Sequence, residues 1–303
     1  MSAEIPLASH TNLPDSSTGA AQANRAVSPK GPSGPRQPRP ASKRATGALK
    51  GLFFIAALPV ILVLIWYIST AVGEKNFFVP TPALLVETFF ATWTGDRITT
   101  DVIPSLTRLL IGIAGSIIIG IVAGLLIGSV RWLRALTEPT LEFFRAIPPT
   151  VLIPVLMLLI GIGDDMKVAV IISGAVWPIL LNTIEGVRSM DEVLSDTTHT
   201  YGIKGFNRVR YLILPSAMPQ IMAGIRQSLS IALILMVISE MFAASSGLGF
   251  TIVQFQRSFA IPEMWSGIVL LGIIGVIMSF IFQLIERNVL RWYHGLREIE
   301  NAA

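Results

Sequence analysis

Six stretches of this chain run for about twenty residues with hardly a charge, at 52–72, 107–130, 144–163, 166–187, 219–244 and 264–285. A bilayer's hydrocarbon core is about 30 Å thick and takes about 20 apolar residues of helix to cross. No soluble core absorbs so many runs of that length, so the expected fold is all-α and polytopic. Composition agrees: 52% of residues are hydrophobic and 14% are charged, against about 25% charged in soluble domains. A seventh apolar segment, Pro80 to Trp93, is shorter, with Leu84, Leu85, Phe89 and Phe90 near helical spacing. It reads as an amphipathic helix on the membrane surface.

The flanks divide the chain further. Residues 1–50 are rich in Pro, Ser, Ala and Gly and end in a basic cluster with Arg36, Arg39, Lys43, Arg44 and Lys50. So little apolar surface cannot offset the entropy of ordering, which predicts a disordered cytoplasmic tail. The first apolar run is too long for a signal-peptide core and reads as an uncleaved spanning helix. The membrane domain then covers 51–296, and 297–303 is a short cytoplasmic end. With the N-terminus inside and six crossings, 17 Lys and Arg residues fall on the inner side and 5 on the outer. The positive-inside tendency therefore places both termini in the cytoplasm.

Several chemistries are excluded. There is no cysteine, and His10, His199 and His294 are too scattered for a metal-binding spacing. No Gly-Lys dipeptide occurs, so the phosphate cradle G-x-x-x-x-G-K-[ST] is missing and no ATP site of that type can form. No nucleophile elbow and no paired intramembrane aspartates suggest an intramembrane enzyme. The basic residues flank apolar runs, which points to lipid headgroups and topology and not to nucleic acid. An ion-coupled carrier would be expected to show ionisable relays deep in several spans. Gly161-Ile-Gly-Asp-Asp165 lacks the further oxygen ligands of a calcium loop and reads as a tight turn on the outer face. Ser246-Gly-Leu-Gly249 has the spacing of a bend, and Arg287, Arg291 and Trp292 form an interfacial anchor pattern.

Within the spans, polar and ionisable residues are the candidates for a solute pathway, because such groups are costly in lipid and face the bundle interior. These are Glu240 and Arg226 in the fifth run and Trp177 and Asn182 in the fourth. Arg226 could instead snorkel or pair with Glu185, and Glu240 could instead form a salt bridge or a helix-end hydrogen bond. Trp177 could be an interfacial or core aromatic. Pro148, Pro149 and Pro154 remove amide donors, and the irregular backbone that results either lines a cavity or packs as a kink. Gly112, Ser116, Gly120, Gly124 and Gly128 recur every four residues and predict a face for close helix packing.

The inner connection at 188–218 reads RSMDEVLSDTTHTYGIKGFNRVRYLILPSAM. A short helix over Asp191–Tyr201, a break at Gly202, a second stretch from Phe206 ending at Leu214-Pro215, and a new span opening at Pro219 are expected. Asp196, Thr197 and Thr198, then Gly202, then Leu212, Leu214 and Pro215 fall at the spacing E-A-A, three residues, G, nine residues, I-x-L-P. The segment resembles this signature of binding-protein-dependent ABC importer permeases, with Asp and two Thr standing for the leading Glu and Ala residues.

The resemblance continues through VPTPALLVETF, SLTRLLIGIAGSIIIGIVAGLLIG, FRAIPPTVLIPVLMLLIGIGDDMK, WPILLNTIEGV, LPSAMPQIMAGIRQSLSIALILMVISEM and SGLGFTIVQF. It is similar to the subgroup that imports nitrate, sulfonates and taurine, with pyrimidine- and riboflavin-type permeases nearby. It implies the six-helix type I importer permease fold with a cytoplasmic coupling helix between helices four and five. It also implies a bacterial inner-membrane location and a second permease copy. ATPase subunits holding ATP and Mg would drive it, and an extracytoplasmic binding protein would deliver a small solute, most simply an anion.

Overall fold

The computed structural model describes residues 41–72 and 77–293. The greater part of the expected N-terminal tail, and the end at 297–303, lie outside those residues. The chain divides into two units, Met1–Ile61 and Leu62–Ala303. In the first, the described backbone is helical, the start of helix α1 (Ala41–Val72), which begins eleven residues before the expected start of the first run at 52.

In the second unit every regular element among the described residues is helical. After α2 (Pro82–Trp93) come α3 (Ile103–Ser129), α4 (Arg131–Ala146), α5 (Leu152–Ile160) and α6 (Asp164–Arg188). Then follow the short α7 (Glu192–Thr200) and α8 (Gly205–Arg208), the long α9 (Leu214–Ala243), α10 (Leu248–Arg257) and α11 (Ile261–Val289). The segments containing α3, α6, α9 and α11 are each long and apolar enough to cross a membrane. Thr81 caps α2 through its hydroxyl, with Pro82 in the first turn, the position where a missing N–H costs nothing.

The expected third span, 144–163, is not one helix. Here α4 and the segment Pro149–Ile160 meet at a bend of 72°. Pro148 holds φ −61°, ψ 124°, an extended conformation that the following Pro149 imposes by clashing with a helical predecessor. The fifth span departs in the opposite sense. No break occurs at Leu214-Pro215: a π turn at Val209–Ile213 runs straight into α9, with Pro215 in its first turn and Pro219 inside it. The helical run is continuous from Gly205 to Phe242, so both prolines lie inside it, and the ladder adjusts through the π turn just before Pro215 and not through a break.

The core is α6, packed against α3 on one side and α9 on the other. The four-residue ladder in α3 faces α6. A Cβ added at Gly112 would come within 2.5 Å of Ile171, at Gly120 within 2.8 Å of Ile179, at Gly124 within 2.6 Å of Thr183, and at Gly128 within 2.9 Å of Val187. Ser116 is buried between them and returns its hydroxyl to Gly112 O at 2.8 Å. The α6–α9 contact uses the same device, with Gly186 against Ala217 and Gly224 against the Pro178 carbonyl. Lipid is as apolar as leucine, so close van der Waals contact between backbones must supply the association. α2, α10 and α11 build a second cluster around Trp93, Leu248, Phe255 and Ile274, where Trp93 Nε1 donates to Ser266 Oγ at 2.9 Å.

Candidate functional site

Between the C-terminal end of α6 and the N-terminal end of α9 stands the helix–break–helix. Asp191 caps α7, accepting from Val193 N at 2.8 Å. Thr197 and Thr198 turn their hydroxyls back onto Val193 O (2.7 Å) and Ser195 O (2.8 Å), so the two side chains satisfy themselves within the helix. Gly202, at φ +68°, ends it: Ile203 N donates to Thr198 O at 2.9 Å and Gly202 N to His199 O at 3.0 Å. That pair of bonds is the Schellman stop, which needs a left-handed residue after the helix.

Past the break, Arg208 Nη2 donates to Ser195 Oγ at 2.9 Å, tying α8 to α7. Leu212 is buried, and Leu214 and Pro215 are half-buried where α9 begins. Asp196 and Thr197 are exposed and Thr198 is half-buried. Val193, Leu194, Tyr201 and Phe206 are all exposed as well, Tyr201 by 79% and Phe206 by 75%. The element is braced to the bundle at one end and presents an uncovered apolar surface at the other, a geometry suited to seating in a partner's groove.

At the other end of the core helices a charge cluster is buried. Glu240, with no exposed surface, accepts from Arg108 Nη1 at 2.6 Å, from Ser105 Oγ at 2.7 and 2.9 Å, and from Gly249 N at 3.0 Å. Arg108, 4% exposed, also donates through Nε to Asp164 Oδ1 at 2.9 Å and through Nη1 to Ser246 O at 3.1 Å. Lys167 reaches the same Asp164 oxygen at 3.2 Å.

The Ser246–Gly249 bend wraps this carboxylate. Gly247 has φ +120°, and a Cβ there would lie 2.5 Å from Glu240 Cδ. Leu248 N donates to Ser105 Oγ at 2.8 Å, and Gly247 N to Asp101 Oδ1 at 3.3 Å. Three core helices are thereby pinned to the start of α10 by groups whose charges are paired, the condition under which burial of ions is tolerated. Asp164 and Asp165 stand in the first turn of α6, and among the described residues no cluster of three metal-ligating side chains occurs.

The structure therefore separates the pathway candidates. Glu240 is enclosed in the cluster. Arg226 is 58% exposed in its side chain and pairs with Glu286 of α11, not with Glu185, which pairs with Arg188 at 3.2 Å. Asn182 returns its amide to Pro178 O at 2.8 Å and borders a cleft of about 320 Å³ with Arg134, Glu138, Glu142, Glu185 and Arg188. Trp177 is half-buried, and Pro148 and Pro154 are exposed at and after the bend. Pro149 packs beside Gly174, where a Cβ would meet its ring at 2.9 Å.

Arg108 is the functional-looking residue that sequence reasoning passed over, placing it among the outer flanking charges. Its signal was present: it lies four residues before Gly112 and continues the same small-residue stripe into the bundle interior.

Comparisons with known proteins agree with this architecture. Residues 116–294 match the family described as "Binding-protein-dependent transport system inner membrane component". A permease protein of Escherichia coli (strain K12) named for aliphatic sulfonates transport, SsuC, is 32% identical over 256 residues, covering 82% of this chain and 97% of that protein. The taurine transport system permease protein TauC of the same organism is 26% identical, covering 80% and 89%. The riboflavin transport system permease protein RibX of Chloroflexus aurantiacus is 31% identical, covering 78% and 89%. A chain of the MetNI methionine ABC transporter in an inward-facing conformation superposes with a TM-score of 0.55 at 22% identity, over 69% of this chain and 97% of that one. The chain therefore belongs to the binding-protein-dependent transport system inner membrane components, the multi-pass, non-catalytic permease subunits of ABC importers.

Proposed function

We propose that this permease translocates a small organic sulfonate or a related anion, taken from an extracytoplasmic binding protein and moved at the expense of ATP hydrolysed on partner subunits. The observation that carries the substrate class is the near full-length similarity to permeases named for aliphatic sulfonates and taurine. Similarity to a riboflavin permease favours a second reading, a vitamin-type solute. In both readings the solute is selected by the binding protein.

ATP and Mg belong to the partner ATPase, since this chain lacks the lysine-bearing phosphate cradle. Two copies of the chain enclose the pathway, with both termini cytoplasmic and the bundle seated in lipid. The α7–Gly202–α8 element seats in the ATPase. Closure of two ATPase subunits pulls on this brace and alternates access to the pathway.

Proteoliposomes holding the permease and its ATPase, with the binding protein outside and ATP inside, test this reading. Uptake of a radiolabelled alkanesulfonate that requires both ATP and the binding protein is expected. Saturable uptake of riboflavin with none of sulfonate would reject the anion.

A further inference from the structure

A cleft of about 500 Å³ opens where α3 ends, α4 begins and α6 gives way to α7 and α8. That volume is within the usual range for small-ligand sites, about 300–1,000 Å³. Arg131, Arg134, Arg188 and Arg208 line it together with Ser129 and Ser195, and among the described residues no carboxylate does. Glu138, Glu142 and Glu185 border the neighbouring cleft, to which Arg134 and Arg188 also contribute.

Of the four arginines, Arg188 has an account of its own. It pairs with Glu185 and sits in the last turn of α6, where a cation is favoured. The others do not. Among the described residues neither Arg131 nor Arg134 has a carboxylate partner. Both stand in the first turn of α4, whose amides no side chain caps and which carries no acid. A helix N-terminus favours negative charge, so this arrangement is electrostatically inverted as it stands. Arg208 adds a second, independent sign. Its Nη2 is satisfied by Ser195, but its Nε is buried without an acceptor. A buried donor without a partner destabilises the fold that buries it.

We propose that this cleft binds a phosphate-type oxyanion. Such a ligand supplies several acceptor oxygens, matches the planar guanidinium fork and neutralises the first turn of α4. Its position joins the ends of two membrane helices to the brace that carries α7. Occupancy therefore bears on how firmly the coupling element is held. The same chemistry is offered by the headgroup of an anionic phospholipid and by free phosphate.

The test uses the full chain with its ATPase in lipid-depleted detergent, followed by thermal unfolding on tryptophan fluorescence at constant ionic strength. The additions are sodium phosphate, short-chain phosphatidylglycerol and short-chain phosphatidylcholine. A saturable rise in Tm is expected with phosphatidylglycerol alone if the source is lipid, and with phosphate as well if it is soluble. R131Q/R134Q should weaken the apparent affinity at least fivefold while its ligand-free unfolding stays cooperative. Should that pair not fold, R131Q alone, at an exposed side chain, carries the same comparison. No saturable shift with either anion, an equal shift with phosphatidylcholine, or identical affinity in the variants would overturn the site. None of these outcomes depends on transport, so they stand apart from the identity of the solute.

Discussion

Arg108 and Glu240 form an ion pair at 2.6 Å with both side chains buried. A carboxylate in such a place is held by its full set of donors, here one guanidinium, one hydroxyl and one amide. Removing one member leaves the other charged and unpaired, which costs about 3–5 kcal/mol. Arg108→Met is therefore expected to lower the unfolding temperature of the purified chain sharply, whereas Arg226→Met, whose side chain is 58% exposed in its pair with the half-buried Glu286, should shift it less, because pairs open to solvent contribute about 0–1 kcal/mol. Unfolding temperatures of the two variants that coincide would show that the buried cluster does not hold the bundle.

Gly202 is the other residue where a single side chain matters. A Cβ there would meet nothing within 4 Å, so its φ of +68° is the sole constraint. A β-branched residue is strained by about 1–2 kcal/mol in that conformation. Gly202→Val should leave folded yield near wild type and reduce transport and its coupling to ATP hydrolysis. ATP-dependent uptake at the wild-type rate would argue against a docking role for the break.

Among the elements, the α3–α6 seam shows why a stripe of small residues recurs every four positions. Each sits opposite one turn of α6, and at Gly120 an added Cβ would already come within 2.8 Å of Ile179. Gly120→Leu should force the helices apart, an overpacking cost of about 1–3 kcal/mol or more, and should appear as lost folded yield on size-exclusion chromatography. Gly272 in α11 has no atom within 4 Å of its would-be Cβ, so Gly272→Leu should be tolerated. Equal yields from the two would remove the packing explanation of the stripe.

The bent segment and the continuous α9 are the two elements that the linear pattern misplaced. In both, prolines marked a boundary in the sequence, yet only the pair Pro148-Pro149 broke the helix. Pro215 and Pro219 lie inside one helical run from Gly205 to Phe242, where a π turn just before Pro215 takes up the irregularity. The presence of a proline did not decide the outcome; two in succession, the second holding the first in extended backbone, did.

For the molecule as a whole, the consequence is a division of labour. The braced α7–α8 element and the charge cluster lie at opposite ends of α6 and α9, about 37 Å apart if measured as 25 residues of helix at 1.5 Å each. Force applied at one end must pass through the tightly packed α3–α6–α9 core to reach the other. The chain reconstituted alone should move no solute on an ion gradient, and ATP-driven uptake should appear when ATPase and binding protein are supplied. Uphill transport by the isolated chain, followed as tracer accumulation, would contradict that division.

The chain's chemistry along its length determined a great deal. Apolar runs require helices in lipid because every backbone group must be satisfied within the segment. The residues around Gly202 marked a helix–break–helix, and the four-residue period of Gly112 to Gly128 marked a packing face. These features are local, set by residues a few positions apart. What only the tertiary structure decided is long-range: that Arg108 meets Glu240, 132 residues away, that Arg226 chooses Glu286 over Glu185, and that four arginines from three segments share one cleft. A charge in sequence has no partner until helices from distant parts of the chain are packed side by side, and that packing is set by which faces fit closely.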